Sequence, residues 1–312
     1  MIWEKKGLIY KPDNSIWWQQ HYAILPTPVF LETENILRIY FATTCKKKYG
    51  RITFIDVDPQ NPSKINNQPK NISLDIGELG SFDDCGVNVS YVIRIEDIWF
   101  MYYAGYQRHF RTPYSIFTGL ATSDDGENFT RKNISPILER NDKETSLRSA
   151  PCIIFNKNDN NYHMWYVSSF SWEIINTVIF DNKMMPLYCI KHGISEDGIH
   201  WIVDKDEALT PTGDEFGFGR PYVILDDNGT YKMFYSIRRK NVSYRLGYAE
   251  SEDGINWIRK DNEVGINVSK EGWDSEMICY PSVITIKNKT YLFYNGNNNG
   301  ETGFGYAELV NG

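Results

Sequence analysis

The sequence predicts an all-β fold, a five-bladed β-propeller with four antiparallel strands per blade, on three observations. An aromatic strand recurs five times, a Ser-x-Asp-Gly turn recurs three times, and a proline-led β-rich run opens four of the five units. Self-similarity at a fixed period marks repeat architectures, in which each unit buries its faces on its neighbours. A repeat also reconciles 312 residues with a single domain, 1–312, where one ordinary core would be stretched by that length.

The aromatic strand reads Arg38-Ile39-Tyr40-Phe41, Trp99-Phe100-Met101-Tyr102-Tyr103, Tyr162-His163-Met164-Trp165-Tyr166, Tyr231-Lys232-Met233-Phe234-Tyr235 and Tyr291-Leu292-Phe293-Tyr294. Its copies lie roughly 60 to 70 residues apart, a blade length with long loops. The turn reads Ser123-Asp124-Asp125-Gly126, Ser195-Glu196-Asp197-Gly198 and Ser251-Glu252-Asp253-Gly254. Asp-Gly between two strand-like runs predicts a tight hairpin, because glycine accepts positive φ and the Ser and Asp side chains bond nearby backbone. These turns are expected to join the third and fourth strands of a blade, with structural acids. The opening run is aligned on Pro28, Pro151, Pro221 and Pro281, with Val89 in the second unit. Proline suits the first residue of a strand. The fifth unit ends at Gly312 without a fourth strand, and Ile2-Trp3-Glu4-Lys5 resembles the fourth-strand segment Ile255-Asn256-Trp257-Ile258. The N-terminus is therefore expected to complete the last blade and hide two sheet edges.

Bulk chemistry narrows the function. Net charge is −7 with no basic stripe, which argues against a nucleic-acid partner. No apolar run is long enough for a membrane span, and the first residues lack an apolar signal core. Cys45, Cys85, Cys152, Cys189 and Cys279 are scattered and odd in number, so a reduced, cytoplasmic setting is expected. Dispersed histidines and the absence of nucleotide, zinc or nucleophile-elbow motifs predict no metal and no cofactor.

A propeller's site forms where the segments before the first strands converge. There the sequence gathers Asp83, Asp84, Glu144, Asp274 and Glu276 as candidate catalytic acids. Asp84 and Glu276 lead, since Gly80–Asn88 and Gly272–Pro281 set carboxylates among aromatic neighbours that can drive an acid and a base apart in pKa. A pair about 6.5–9.5 Å apart suits inverting glycoside hydrolysis. His21, Arg148, Arg220, Asn88 and Tyr280 are the candidate substrate-binding residues, the arginines as bidentate holders of a carboxylate or phosphate. The competing reading of the acids is an internal ion-pair network between blades.

With these motifs in view, the chain resembles the five-bladed propeller glycoside hydrolases, the group holding families 32, 43, 62, 68 and 130. It is most similar to propellers encoded among bacterial surface-polysaccharide genes, through Phe82-Asp83-Asp84-Cys85-Gly86-Val87, Gly272-Trp273-Asp274-Ser275-Glu276-Met277 and Tyr294-Asn295-Gly296-Asn297. The resemblance implies a carbohydrate-active protein whose ligand is a saccharide or nucleotide-linked sugar. It departs from the hydrolase pattern at Thr27, Asn88 and Ser149, which stand where that pattern places its acids. The alternatives are a non-catalytic glycan-binding scaffold, or a transferase or phosphorylase on the same fold.

Overall fold

Strand-forming runs dominate the chain, and the computed structural model, which describes residues 1–169 and 171–311, folds them into sheets that are antiparallel except for short parallel contacts of Gly50 with Gly86 and of Ile116 and Phe117 with Leu147 and Arg148. Asp261–Glu263 is a single helical turn, and Asn297–Gly300 is a tight turn with Asn298 at φ 52° and Asn299 at φ 57°. The strands fall into five groups of four. The first is His21–Leu31, Ile36–Thr44, Gly50–Asp58 and Asn61–Asn67. Gly86–Ile95, Ile98–Arg108, Tyr114–Ser123 and Thr130–Arg131 form the second. The third is Leu147–Asn156, Asn161–Ser169, Cys189–Ser195 and Ile202–Leu209. Glu215–Leu225, Tyr231–Arg239, Arg245–Ser251 and Ile258–Arg259 form the fourth. The fifth takes Cys279–Ile286, Lys289–Asn295 and Phe304–Asn311, and its outer strand is the N-terminal Ile2–Tyr10, paired antiparallel to Phe304–Asn311. Each first strand contacts the first strand of the next unit, and the fifth contacts the first.

Burial follows position in the unit. Second strands are covered on both faces, as in Ile36–Thr44 and Asn161–Ser169, which explains their near-continuous apolar run. Outer strands such as Asn61–Asn67 are mostly open to solvent.

The aromatic repeat and the turn repeat meet between units. In each Asp-Gly turn the serine hydroxyl bonds the aspartate, at 2.8, 3.0 and 2.9 Å for Ser123, Ser195 and Ser251. The glycine adopts φ of 69°, 72° and 75°. Its carbonyl accepts a bond from the second strand of the preceding unit. Tyr40 donates to Gly126, Tyr102 to Gly198 at 2.7 Å and Trp165 to Gly254 at 2.8 Å. The fourth unit has Phe234 at this position, with no donor, and it meets Trp3 of the fifth unit edge-on. The turns thus act as clasps between units.

Every first strand carries a register slip against its second strand at one shared level, and the first and fourth carry another nearer their start, between His21 and Ile24 and between Glu215 and Gly217. The shared slips lie between Ile24 and Thr27, Val89 and Tyr91, Ser149 and Cys152, Gly219 and Tyr222, and Cys279 and Ser282. Four place a non-glycine residue before proline at positive φ: Leu25 at 61°, Ala150 at 52°, Arg220 at 41° and Tyr280 at 55°. A bulge leaves its extra residue out of the ladder, so the missing N–H of proline costs no bond there. This corrects the alignment of the first unit. Leu25-Pro26, not Thr27-Pro28, matches Ala150-Pro151, Arg220-Pro221 and Tyr280-Pro281, and Thr27 stands level with Tyr91, Cys152, Tyr222 and Ser282.

Candidate functional site

The acids before the first strands divide into two kinds. Asp83, Glu144 and Asp274 are buried. The Asp83 carboxylate accepts bonds from Arg131 Nε at 2.7 Å, Ser81 Oγ at 2.8 Å and Tyr103 Oη at 3.1 Å. Glu144 accepts from Tyr166 Oη and Ser168 Oγ, both at 2.7 Å, and pairs with Arg148 Nε at 3.2 Å. Asp274 accepts from Lys5 Nζ at 2.6 Å and Tyr294 Oη at 3.0 Å. In the fourth unit Tyr235 donates to Asp261 at 2.6 Å, and Arg259 Nη2 donates to the same carboxylate at 2.6 Å.

One device therefore recurs in four units: a second-strand tyrosine and a cation close on a buried or half-buried carboxylate. The tyrosine ring crosses the third strand where a Cβ on Gly119 would lie 2.2 Å, and one on Gly247 2.4 Å, from it. Three of the cations stand two residues after an aromatic, in Trp3-x-Lys5, Phe129-x-Arg131 and Trp257-x-Arg259. The third unit has Val203 after Trp201, and Arg148 supplies the charge from the first strand instead. The first unit has Phe41 in the tyrosine position, packed on Tyr10 and Phe304. Burial works to raise the Glu144 pKa, but the Tyr166 and Ser168 hydroxyls and Arg148 hold it below the usual carboxylate range.

The sequence-predicted arginines are engaged within the protein. Arg148 pairs with Glu144 and donates to Glu139 O at 2.7 Å. Arg220 is 2 % exposed and reaches across from the fourth unit to the first. It donates to Pro26 O at 2.9 Å and Thr27 Oγ1 at 2.7 Å, and also to Tyr280 O of the fifth unit at 3.2 Å. Desolvation pushes its pKa down to about 10. His21 is half-buried, and its carbonyl accepts from the Thr43 and Thr44 hydroxyls at 3.2 Å.

Asp84 and Glu276 are different. Asp84 is half-buried, accepts from Gly80 N at 2.9 Å and meets the Cys85 thiol; Glu276 is exposed. Neither carboxylate belongs to an ion pair among the described residues. Their segments flank one aromatic cluster. Cys85 N donates to Tyr106 O at 3.0 Å, next to Asp84, and Ile278 N donates to Tyr244 O at 3.3 Å. The Glu276 carbonyl accepts from Arg245 at 2.9 Å.

That cluster joins all but the first unit at the end where the first strands begin. Tyr106 and Tyr114 meet edge-on at 6.2 Å, Tyr114 meets Trp172 at 5.3 Å, and the Tyr114 and Tyr188 hydroxyls lie 3.2 Å apart. Tyr244 and Tyr280 are 5.9 Å apart. Asn88 Nδ2 donates to Tyr106 Oη at 3.1 Å, and Trp172 Nε1 to Ser146 Oγ at 2.8 Å. Tyr106, Tyr114, Trp172, Tyr188, Tyr244 and Tyr280 all keep accessible surface. Yet desolvation drives the phenol pKa of Tyr106, Tyr188, Tyr244 and Tyr280 upward. Partial access to solvent combined with crowding by protein is the pattern expected of side chains that line a recess. Asn88 and Tyr280 are sequence-predicted members of it. The sequence reading missed Tyr106, Tyr114, Trp172, Tyr188 and Tyr244. A signal existed: a tyrosine leads into the third strand four times, at Tyr49, Tyr114, Tyr188 and Tyr244.

Among the described residues no group of three or more His, Cys, Asp or Glu is placed to hold a metal ion, and no helix is long and apolar enough to cross a membrane. Glu144 lines a separate cavity of about 400 Å³ with Lys143, Ser168, Lys191, Lys205 and Glu207.

No family model matches the sequence. Solved structures do match. A protein titled glycoside hydrolase aligns with a TM-score of 0.74 at 15% identity, over 98% of this chain and 90% of that one. A thermostable family-43 glycoside hydrolase aligns with a TM-score of 0.63 at 17% identity, over 96% and 91%. A third structure was described with the GH130 family of mannoside phosphorylases and its hydrolases of β-1,2 mannosidic linkages in Candida mannan. It gives a TM-score of 0.71 at 15% identity, over 98% and 93%. These likenesses show the fold, a propeller of the glycoside hydrolase type. In sequence, the uncharacterized protein MT1551 of Mycobacterium tuberculosis (strain CDC 1551 / Oshkosh) is 33% identical over 312 residues, covering 100% of both chains. The uncharacterized protein Rv1502 of M. tuberculosis (strain ATCC 25618 / H37Rv) is likewise 33% identical over the whole of both chains, and the chain belongs to its family.

Proposed function

We propose that this protein is a carbohydrate-active, single-domain, five-bladed propeller over residues 1–312 that takes a saccharide into the tyrosine-lined recess and hydrolyses it. The observation that carries this reading is the gathering of Tyr106, Tyr114, Trp172, Tyr188, Tyr244 and Tyr280 into one aromatic cluster whose members each keep accessible surface. Aromatic faces stack on the apolar faces of sugar rings, and phenol hydroxyls and Asn88 meet their hydroxyls. Asp84 and Glu276 act as the acid and base, because the chain beside each bonds the backbone of a cluster tyrosine and neither carboxylate belongs to an ion pair among the described residues. Asp83, Glu144 and Asp274 serve the fold, each fixed by a cation and a tyrosine. The five unpaired cysteines fit a reducing, cytoplasmic setting.

Non-catalytic glycan binding is the second reading. It is favoured by the position of Glu276, exposed at the rim rather than desolvated within the recess. Incubation with an oligosaccharide panel separates the two. Hydrolysis predicts product release that Asp84→Asn and Glu276→Gln each abolish, with melting temperatures within about 1–2 °C of the parent, as expected of surface substitutions. Saturable binding without product supports the second reading. Loss of folding in both variants sinks the acid–base assignment.

A further inference from the structure

Buried arginines in this protein are answered by carboxylates, with two exceptions. Arg38 pairs with Asp56 at 2.8 Å and Arg148 with Glu144 at 3.2 Å. Arg220 and Arg238 have no carboxylate within 4.0 Å among the described residues. Arg220 is nonetheless held by three oxygens across the ring. Arg238 is not. It is 3 % exposed, and Nη1 donates to Pro186 O at 2.9 Å. Among the described residues its Nε, like that of Arg220, has no acceptor, and Nη2 has only the Met185 thioether at 4.0 Å.

The guanidinium lies instead between rings, 4.2 Å from the centre of Tyr188 and 4.4 Å from Phe216, with Tyr244 at 5.9 Å. Tyr188 and Tyr244 are walls of the recess. The charge of Arg238 is felt by four of its tyrosines, Tyr244, Tyr188, Tyr114 and Tyr280. Stacking engages the faces of the guanidinium and leaves the Nε–Nη2 edge, a two-pronged donor matched to a pair of anionic oxygens. A buried cation without a counter-ion, and a buried N–H without an acceptor, are both costly. A thioether is a weak acceptor that such an oxygen displaces.

Position supports the same assignment. Arg238 follows Tyr235 by three residues, as Tyr106 follows Tyr103, so both occupy the same place at the recess end of a second strand. Pro186 and Met185, which touch it, end the hairpin Trp172–Ile175 and Lys183–Pro186. The opening residue of that hairpin, Trp172, belongs to the recess.

We propose that Arg238 is the anion-recognition residue of the recess, and that the saccharide carries a carboxylate or phosphate that docks on the Nε–Nη2 edge. This rests on the reading of the recess as a saccharide site and names the class of saccharide. The test is calorimetric and thermal-shift titration of the full chain with methyl β-D-glucuronide, glucose 1-phosphate, methyl β-D-glucoside and inorganic phosphate. The expected result is binding of one anionic sugar at least about tenfold tighter than the neutral glycoside, about 1.4 kcal/mol. Whether the glucuronide or the phosphate responds distinguishes a uronic acid from a sugar phosphate. Arg238→Gln should collapse the preference to parity. Arg238→Lys, which keeps charge but loses the fork, should fall between. Because no carboxylate pairs with the charge among the described residues, Arg238→Gln should lower the melting temperature little.

Equal affinity for neutral and anionic glycosides, or a preference that survives Arg238→Gln, overturns the assignment while leaving the saccharide reading intact. Inorganic phosphate binding that Arg238→Gln erases, with every sugar inert, sinks the saccharide reading and keeps the anion site. Silence of all four probes overturns the proposal. So does a large melting loss in both Arg238→Gln and Arg238→Lys, which would make the residue a structural strut.

Discussion

Replacing Arg131 by methionine tests whether the carboxylates before the first strands are structural. The side chain of Asp83 is 0% exposed and that of Arg131 24%. Arg131→Met keeps much of the aliphatic stem packed and removes the charge, so the carboxylate stays buried with only Ser81 and Tyr103 donating to it. Removing one partner of a buried pair costs about 3–5 kcal/mol. The two remaining hydroxyls and the partial exposure of Arg131 place this case at the low end, about 3 kcal/mol. At a urea slope of about 3 kcal/mol/M, the midpoint falls by ~1 M. Adding Asp83→Asn to Arg131→Met removes the stranded charge and should recover about half or more of the loss. Asp83→Asn alone should cost only about 1–2 kcal/mol, since Arg131 can turn to water and only hydrogen bonds are lost. Urea unfolding of the four members of this cycle reads the coupling directly. A midpoint for Arg131→Met within ~0.2 M of the parent, or additive single losses, would refute the claim that the acid is held for the fold.

Three further outcomes follow from the same geometry. Glu144 has a depressed pKa, so its stabilisation is present above the unfolded value near 4.3 and disappears as pH falls through the folded value; Glu144→Gln should therefore lower the midpoint at pH 7, and the gap to the parent should narrow steadily as pH falls below about 4. A gap that stays constant across pH contradicts this. Deleting residues 1–10 strips the outer strand from Phe304–Asn311, the Trp3 Nε1 bond to Val264 O at 2.9 Å and the Lys5–Asp274 pair, and should destabilise the whole fold in a scanning calorimeter; an unchanged melting temperature contradicts it. Tyr102→Phe leaves the Gly198 carbonyl without its donor from the neighbouring unit and should cost about 1–3 kcal/mol, measured by denaturant, with a loss under 0.5 kcal/mol showing that the clasp is dispensable.

The elements legible in the sequence are those fixed by local chemistry. Asp-Gly turns announce themselves because glycine alone takes their φ cheaply, and second strands because burial on both faces leaves a run of aromatics. The N-terminal strand was legible because Trp3-Glu4-Lys5 repeats Trp257-Ile258-Arg259, and both cations proved to bind an acid. The slip at Thr27 has a physical origin. Pro26 and Pro28 both suit a strand start, and only the pairing of Ile24 with Ala42 and Thr27 with Tyr40 reveals which one sits in the bulge. The candidate acids could not be sorted for a related reason. Asp83 and Asp84 are adjacent in sequence, yet one is sealed beneath Tyr103 and Arg131 and the other bonds a backbone N–H at the rim. What separates them is the alternation of side-chain direction in an irregular segment, which composition does not encode.

The contrast between repeated and divergent positions bears on where function lies. The tyrosine at the centre of the second strand is the same in four units, and its hydroxyl has the same task in each. Three residues on, the equivalents are Thr44, Tyr106, Ser169, Arg238 and Asn297, three hydroxyls of different reach, a guanidinium and an amide. A position that supports the repeat must satisfy the same neighbours in every unit, so it is held constant by packing. The position at the end of each second strand is released from that constraint, and the five units place different side chains there. The fourth and second units contribute a stacked guanidinium and a phenol from this position, and the fifth contributes Asn297, whose Oδ1 accepts from Glu276 N at 2.8 Å and Met277 N at 3.0 Å. Asn297 thereby fixes the segment that presents Glu276 beside the recess. Asn297→Ala should leave the tyrosine–carboxylate devices intact while loosening that segment. It should impair turnover more than melting temperature, and a fall in stability without a fall in activity would assign Asn297 to the fold alone.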